Sequence, residues 1–351
     1  MSGDRYWVSG NIAVGEKKLS DTGSIEAVSA DIAVFALGWE SRSVALDRHL
    51  RLDVKHLLVL DFALAGTGDE AIEANRRKLK KIASEWGVGI SEIKLATSTD
   101  FLKNINTLEI AIAEFARKFG TYYGSLRRVF VECSTMPRVY IQWLIAYGFG
   151  GAGCFPALDF GYAEGAYEAP SGPAEFSSVV DRYETVPLLN GSGGMGEEKF
   201  LIVGIGGDAD MFYGLVHEFS PERVAVLVPH SERHEHLDSL LNQQVAKVTE
   251  MYRLQEEEVR RVNSFAIHGY LAAFEDYATK AGDRAVISVF AGGPKVQAIA
   301  SAIFACADRR VQVKARIPKS YARRDVRSNG SYHWFRLVDL TSPACSLLDT
   351  W

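Results

Sequence analysis

Ala285-Val286-Ile287-Ser288-Val289-Phe290-Ala291-Gly292-Gly293-Pro294-Lys295, followed by the apolar run Val296 to Ala305, reads as a strand, a tight turn and a helix. Val129-Phe130-Val131-Glu132-Cys133-Ser134-Thr135-Met136-Pro137-Arg138, followed by Val139 to Ala146, reads the same way. Both strands are near-continuous apolar runs, as parallel strands covered on both faces are. Both turns end in Pro and a cation, and in α/β proteins that strand-to-helix turn is where ligands sit. Two such turns in one chain predict a duplicated ligand-binding unit with a composite site between the copies.

The duplication extends outward from these turns. Val34-Phe35-Ala36-Leu37-Gly38 matches Leu201-Ile202-Val203-Gly204, and Leu57 to Phe62 matches Val224 to Pro229 at the same separation. A long charged helix follows each second strand, over about 69–86 and 232–252. Third strands at 93–96 and 258–264 and helices near 108–119 and 270–280 complete the pattern before the Pro-cation turns. Strands alternating with helices predict an α/β fold of two tandem Rossmann-like βα units with mostly parallel sheets.

The sequence boundary falls in Asn190-Gly191-Ser192-Gly193-Gly194-Met195-Gly196, a Gly/Ser-rich linker between an N-terminal half (1–190) and a C-terminal half (197–351). Walker spacing is absent from it. Each half ends in a segment without βα character, 156–189 and 311–340. Alternation in 311–317 and 332–338, with Ser328-Asn329-Gly330 between, predicts a terminal β-hairpin, and each unit is expected to end in a β-hairpin extension. Tyr6 to Val14 reads as an added edge strand.

Composition bounds the function. With 47% hydrophobic and 24% charged residues, the 351-residue chain is average for a soluble globular protein. A net charge of −5 argues against broad binding of duplex nucleic acid. The first residues lack signal-peptide character and no run is apolar enough to span a membrane, so a cytoplasmic protein without membrane association is expected. Four scattered cysteines carry no metal-ligand spacing; His230 and His234, with His236 beside them, would share a helix face where zinc is conceivable, but the His-Glu-x-x-His motif is absent and a solvated helix start is the ordinary reading, so no metal or cofactor is expected.

Candidate ligand contacts cluster after the predicted strands. Gly292 and Gly293 let backbone approach a ligand, and Lys295 adds charge at a helix start that offers free N–H groups to an anion. Ser134 and Thr135 are helix caps or ligand contacts, and Arg138 is a phosphate partner. Trp39, Glu40, Ser41 and Arg42 place a stacking ring, an acid, a hydroxyl and a guanidinium in one post-strand loop. Tyr321 and Arg324 belong to a basic, aromatic stretch able to fold over an anion. Glu40 and Glu132 are the candidate acid/base residues should the chain turn a nucleotide over, as a phosphodiesterase or N-glycosidase does.

The strand-Gly292-Gly293-Pro294-Lys295-helix sequence resembles the Gly-Gly-x-Lys loop of CARF domains, with Pro294 where Thr is common there. The turn with Ser134, Thr135 and Arg138 looks like the shorter polar version of that loop. CARF domains work as pairs, and SAVED domains fuse two CARF-like units in one chain, which the internal repeat resembles. The resemblance implies a sensor for a nucleotide, a cyclic oligonucleotide second messenger above all, in bacterial antiviral defence, with a separate effector protein as partner. A nucleotide-processing enzyme and a non-catalytic interaction scaffold are the alternative classes.

Overall fold

The computed structural model describes residues 6–20, 25–62, 70–96, 100–120, 126–150, 153–167, 180–191, 198–206, 209–231, 233, 235–318 and 325–348. The fold is α/β with mostly parallel sheets. It divides into two compact units that are not consecutive halves. The first comprises Met1–Pro137, Tyr147–Ala166 and Arg323–Trp351, and the second comprises Arg138–Ala146 and Tyr167–Ala322.

The first unit opens with strands β1 (Trp7–Ser9) and β2 (Ile12–Ser20), an edge hairpin that turns at Gly10 with φ +55°. Next come β3 (Glu26–Ser29), β4 (Ile32–Leu37), β5 (Leu50–Asp53), β6 (His56–Phe62), helix α1 (Glu70–Trp86), β7 (Gly89–Leu95) and α2 (Phe101–Phe119). Strand β8 (Val129–Glu132), helix α3 (Arg138–Phe149) and strand β9 (Ala157–Gly165) follow. In the other unit lie β10 (Val180–Asn190), β11 (Glu198–Gly204), α4 (Ala209–Phe219), β12 (Arg223–His230), α5 (Glu235–Tyr252) and β13 (Val259–Asn263). Then come α6 (Ile267–Ala281), β14 (Ala285–Ala291), α7 (Lys295–Ala307) and β15 (Val311–Pro318), before β16 (Ser328–Asp339) returns to the first unit.

The sheet of the first unit runs β1-β2-β16-β9-β8-β4-β6-β7, and that of the second β10-β15-β14-β11-β12-β13. The parallel cores, β9-β8-β4-β6-β7 and β15-β14-β11-β12-β13, share one topology, as the repeat predicts. In each, the chain steps one way from the central strand (β4 or β11), then resumes on its other side with β8 or β14. That reversal is a topological switch point, and it lies between β4 and β8 and between β11 and β14.

Neither unit ends in the expected hairpin: β9 pairs with β8 and β16 and β10 with β15, and the terminal pair is split as well. Both strands form, but they do not pair with each other: β15 pairs with β14 and β10, and β16 pairs with β2 and β9. Asn329-Gly330 is no hairpin turn. It sits inside β16, where Gly330 at φ +89° makes an irregularity between the Ser328–Gly165 and Tyr332–Ala163 pairs. An exchange results: β10, which follows β9, lies antiparallel to β15, while β16, which follows β15, lies antiparallel to β9. The linker at 190–196 is described only at Asn190 and Gly191.

Central strands such as β4 form because their side chains are apolar on both faces and buried throughout; β9 is also buried throughout, although it carries Asp159 and Glu164. α1 buries Leu79, Ile82 and Ala83 along one stripe and exposes its charges. α2 begins about two turns earlier than expected, since Phe101 and Ile105 continue the buried spacing of Leu108 and Ile112. α7 is buried from Val296 to Phe304.

One face of the β8-β9-β16 ladder carries Phe130, Gly161, Tyr332 and Trp334. A Cβ at Gly161 would stand 1.8 Å from the Tyr332 hydroxyl and 2.7 Å from Phe130 Cζ, so only glycine lets Tyr332 cross β9. Gly161→Ala is expected to lower unfolding stability by about 1–3 kcal/mol through overpacking, measured by denaturant titration.

Candidate functional site

The switch point of the first unit is bordered by the loop after β4 and the turn after β8. Asn75 of α1, buried, donates to the carbonyls of Gly38 (2.9 Å) and Glu40 (3.1 Å) and so fixes the loop. Arg42 is buried; its Nε donates to Glu40 Oε2 at 2.6 Å and its Nη1 to the Tyr162 hydroxyl at 3.4 Å and the Ala163 carbonyl at 3.3 Å. Ser41 donates through its backbone N–H (2.9 Å) and hydroxyl (3.3 Å) to Asp325 Oδ1. Trp39 is half-buried.

In the turn after β8, Glu132 is 1% exposed. It accepts from the Ser134 N–H at 2.9 Å and from the Tyr332 hydroxyl. Burial, and then the adjoining Glu132 carboxylate, raise the Tyr332 pKa well above its ordinary value, which keeps the phenol a donor. Ser134 Oγ accepts from the Ala163 N–H at 2.8 Å, and Thr135 Oγ1 donates to the Ala36 carbonyl at 2.9 Å. The acid and hydroxyls that the sequence marks thus bond to the walls of their own sheet.

The second unit places glycines at its switch point. Gly292 N–H donates to the Gly204 carbonyl at 3.0 Å. A Cβ at Gly206 would stand 1.7 Å from the Gly292 carbonyl oxygen, and one at Gly292 would stand 2.5 Å from that of Gly204. The glycines therefore let two loops meet backbone to backbone. Gln297 of α7 is fully buried; its Oε1 accepts from the Gly293 N–H at 2.9 Å, and its Nε2 has no hydrogen-bond partner. That amide fills the place of a Cβ at Gly204, 1.9 Å from where one would stand.

Two cations meet this loop. Arg138, in the first turn of α3, donates from Nε to the Gly293 carbonyl at 2.9 Å and from Nη2 to the same oxygen. Lys295, half-buried, is the first residue of α7. The amino-terminal end of α7 adds the positive end of its dipole. The structure thus brings Arg138 to Gly292, Gly293 and Lys295 within the second unit, and Arg42 to Glu40 within the first. Tyr321 and Arg324 lie outside the described residues. Among the described residues no group of three or more His, Cys, Asp or Glu could hold a metal ion. His230 is paired with Asp238.

Asn75, Gln297 and Tyr332 were not legible as site residues. Gln297 and Ser301 left a trace as polar residues one turn apart in an otherwise apolar helix.

No protein-family model matches this chain, and a search of curated proteins finds no match. Among solved structures, the chain is similar to one described as a universal stress protein from Pseudomonas aeruginosa UCBPP-PA14. Identity is 11%, the TM-score 0.21, and the match covers 81% of this chain and 92% of that one. A functionally unknown protein from Pseudomonas aeruginosa PAO1 matches at 11% identity and TM-score 0.22, over 82% and 93% of the two chains. No helix among the described residues is long and apolar enough to cross a membrane.

Removing the Tyr332 hydroxyl leaves the buried Glu132 short of a donor. Tyr332→Phe is expected to lower stability by about 1–3 kcal/mol in chemical unfolding; an unchanged midpoint would mean that Glu132 is satisfied without it.

Proposed function

We propose that the chain is a nucleotide-binding sensor whose ligand phosphate docks on Arg138 and Lys295 at the switch point of the second unit. The carrying observation is the convergence of Arg138 on the Gly293 carbonyl, two residues before Lys295, at the amino-terminal end of α7. Two cations and a helix dipole favour an anion, and switch points are where open α/β sheets take ligands. A phosphate offers the guanidinium a better acceptor than a neutral carbonyl, since hydrogen bonds between ionised partners are roughly twice as strong as neutral ones. Arg138 then exchanges Gly293 for the ligand, which couples occupancy to loop position.

Resemblance to the paired CARF and SAVED sensors makes a cyclic oligonucleotide the finer ligand class, bacterial antiviral defence the setting and a separate effector protein the partner. Binding is preferred over turnover because Glu40 and Glu132 are held by Arg42 and by Tyr332 and Ser134.

The test is a thermal-shift and calorimetric screen of the full chain against mononucleotides, linear dinucleotides and cyclic oligonucleotides. A ligand at about 100 times its dissociation constant adds about 2.7 kcal/mol of stability. Arg138→Ala and Lys295→Ala should each weaken binding about tenfold or more, while the ligand-free midpoint moves by a few degrees at most. Normal affinity in both variants, or silence across the panel, overturns the reading.

A further inference from the structure

The two large sheets end in four edge strands, and three of these are poor templates for another strand. β1 is only three residues long. β10 carries Pro187, Leu188 at φ +68° and a shift of register between Thr185 and Asn190. β13 has Arg260 and Arg261 side by side near its middle, so a second copy laid antiparallel on it would oppose like charges. β7 differs. It runs for seven residues, Gly89–Leu95, with no proline and no shift of register against β6. Gly89, Glu92 and Lys94 are exposed, and among the described residues no strand pairs with its outer side.

The charges of β7 complement themselves. Laid antiparallel about a two-fold axis at Ile93, the strand sets Glu92 opposite Lys94 of the second copy, Lys94 opposite its Glu92, and Ile93 opposite Ile93. Directly opposed Cβ atoms stand about 5 Å apart, near enough for opposite charges to attract. A two-fold contact requires such a self-complementary patch. The neighbouring charges favour an added cation. Arg76 donates from Nη2 to Asp61 Oδ2 at 2.9 Å, from Nε to Glu92 at 3.0 and 3.2 Å, and from Nη1 to Glu73, so three carboxylates share one guanidinium. Burial, and then a hydrogen bond with Glu92, raise the Asp61 pKa against the pull of Arg76 and Lys94. Lys94 is in register with Asp61 and, among the described residues, makes no ion pair.

We propose that β7 is the contact of a homodimer, in which the sheet of the first unit continues antiparallel into that of a second copy of this chain. The contact is independent of the nucleotide reading, since it uses none of the residues assigned to phosphate.

Sedimentation of the full chain over about 1–100 μM tests it. A monomer–dimer equilibrium is expected, with hydrogen exchange over Ser91 to Leu95 slowing as the dimer forms. Lys94→Glu opposes two pairs of like charges and should weaken association about tenfold or more, while Lys94→Arg should preserve it. Lys94 is exposed, so the thermal midpoint of the monomer should stay unchanged in both variants. A monomer throughout that range overturns the proposal and leaves the edge to a strand of another protein. A dimer as tight in Lys94→Glu as in the native chain also overturns it, by placing the contact elsewhere.

Discussion

The pairing of β16 with β9 is the constraint on which the first unit depends. β9 would otherwise end the parallel sheet as an exposed edge, with a row of unpaired backbone groups. β16 covers it from Ser328 to Val338 and is itself covered by β2. The same contact delivers Tyr332 to Glu132 across Gly161, and Arg336 to Asp159. A glycine, a phenol and a buried acid thus close the sheet end near the switch point, while Arg128 and Arg336, both bonded to Asp159, close the other. The second unit solves the same edge problem with β10 laid antiparallel on β15.

This exchange explains why the chain reads as a duplication and yet does not divide into consecutive halves. Each parallel core is local in sequence and repeats its order. The antiparallel strand that completes each core follows the other core in the chain. Sequence periodicity reports what a strand buries, and it is silent on which neighbour the strand takes. The alternation in 311–317 and 332–338 therefore marked real strands and assigned them the wrong partners. The Asn329-Gly330 signal was real as backbone chemistry, a glycine at positive φ, but served an irregularity within a strand. β9 does not read as a strand because Asp159, Gly161 and Glu164 interrupt its apolar character, and the two acids are buried with partners that only the fold supplies.

The candidate site was legible in its positions more than in its chemistry. Post-strand loops stood out because Gly, Pro, hydroxyls and cations gather there, and both switch points do fall at those loops. What each side chain does there depends on contacts across sequence. Arg42, with Glu40 two residues away, reads as a phosphate ligand until Tyr162 and the Ala163 carbonyl are seen to complete its pairing. Gly292 and Gly293 read as a ligand cradle until the Gly204–Gly206 loop meets them. Arg138 and Lys295 keep the role that the sequence gave them in our proposal, and Gln297 joins them as the residue that holds the Gly293 N–H.

The central claim is that a nucleotide phosphate engages Arg138 and the start of α7. Hydrogen exchange of the full chain, with and without saturating cyclic oligonucleotide, tests it most directly. The account predicts slowed exchange in peptides covering Ala291 to Gln297 and the first turn of α3. Binding without protection there, with slowed exchange confined to other segments, would contradict it.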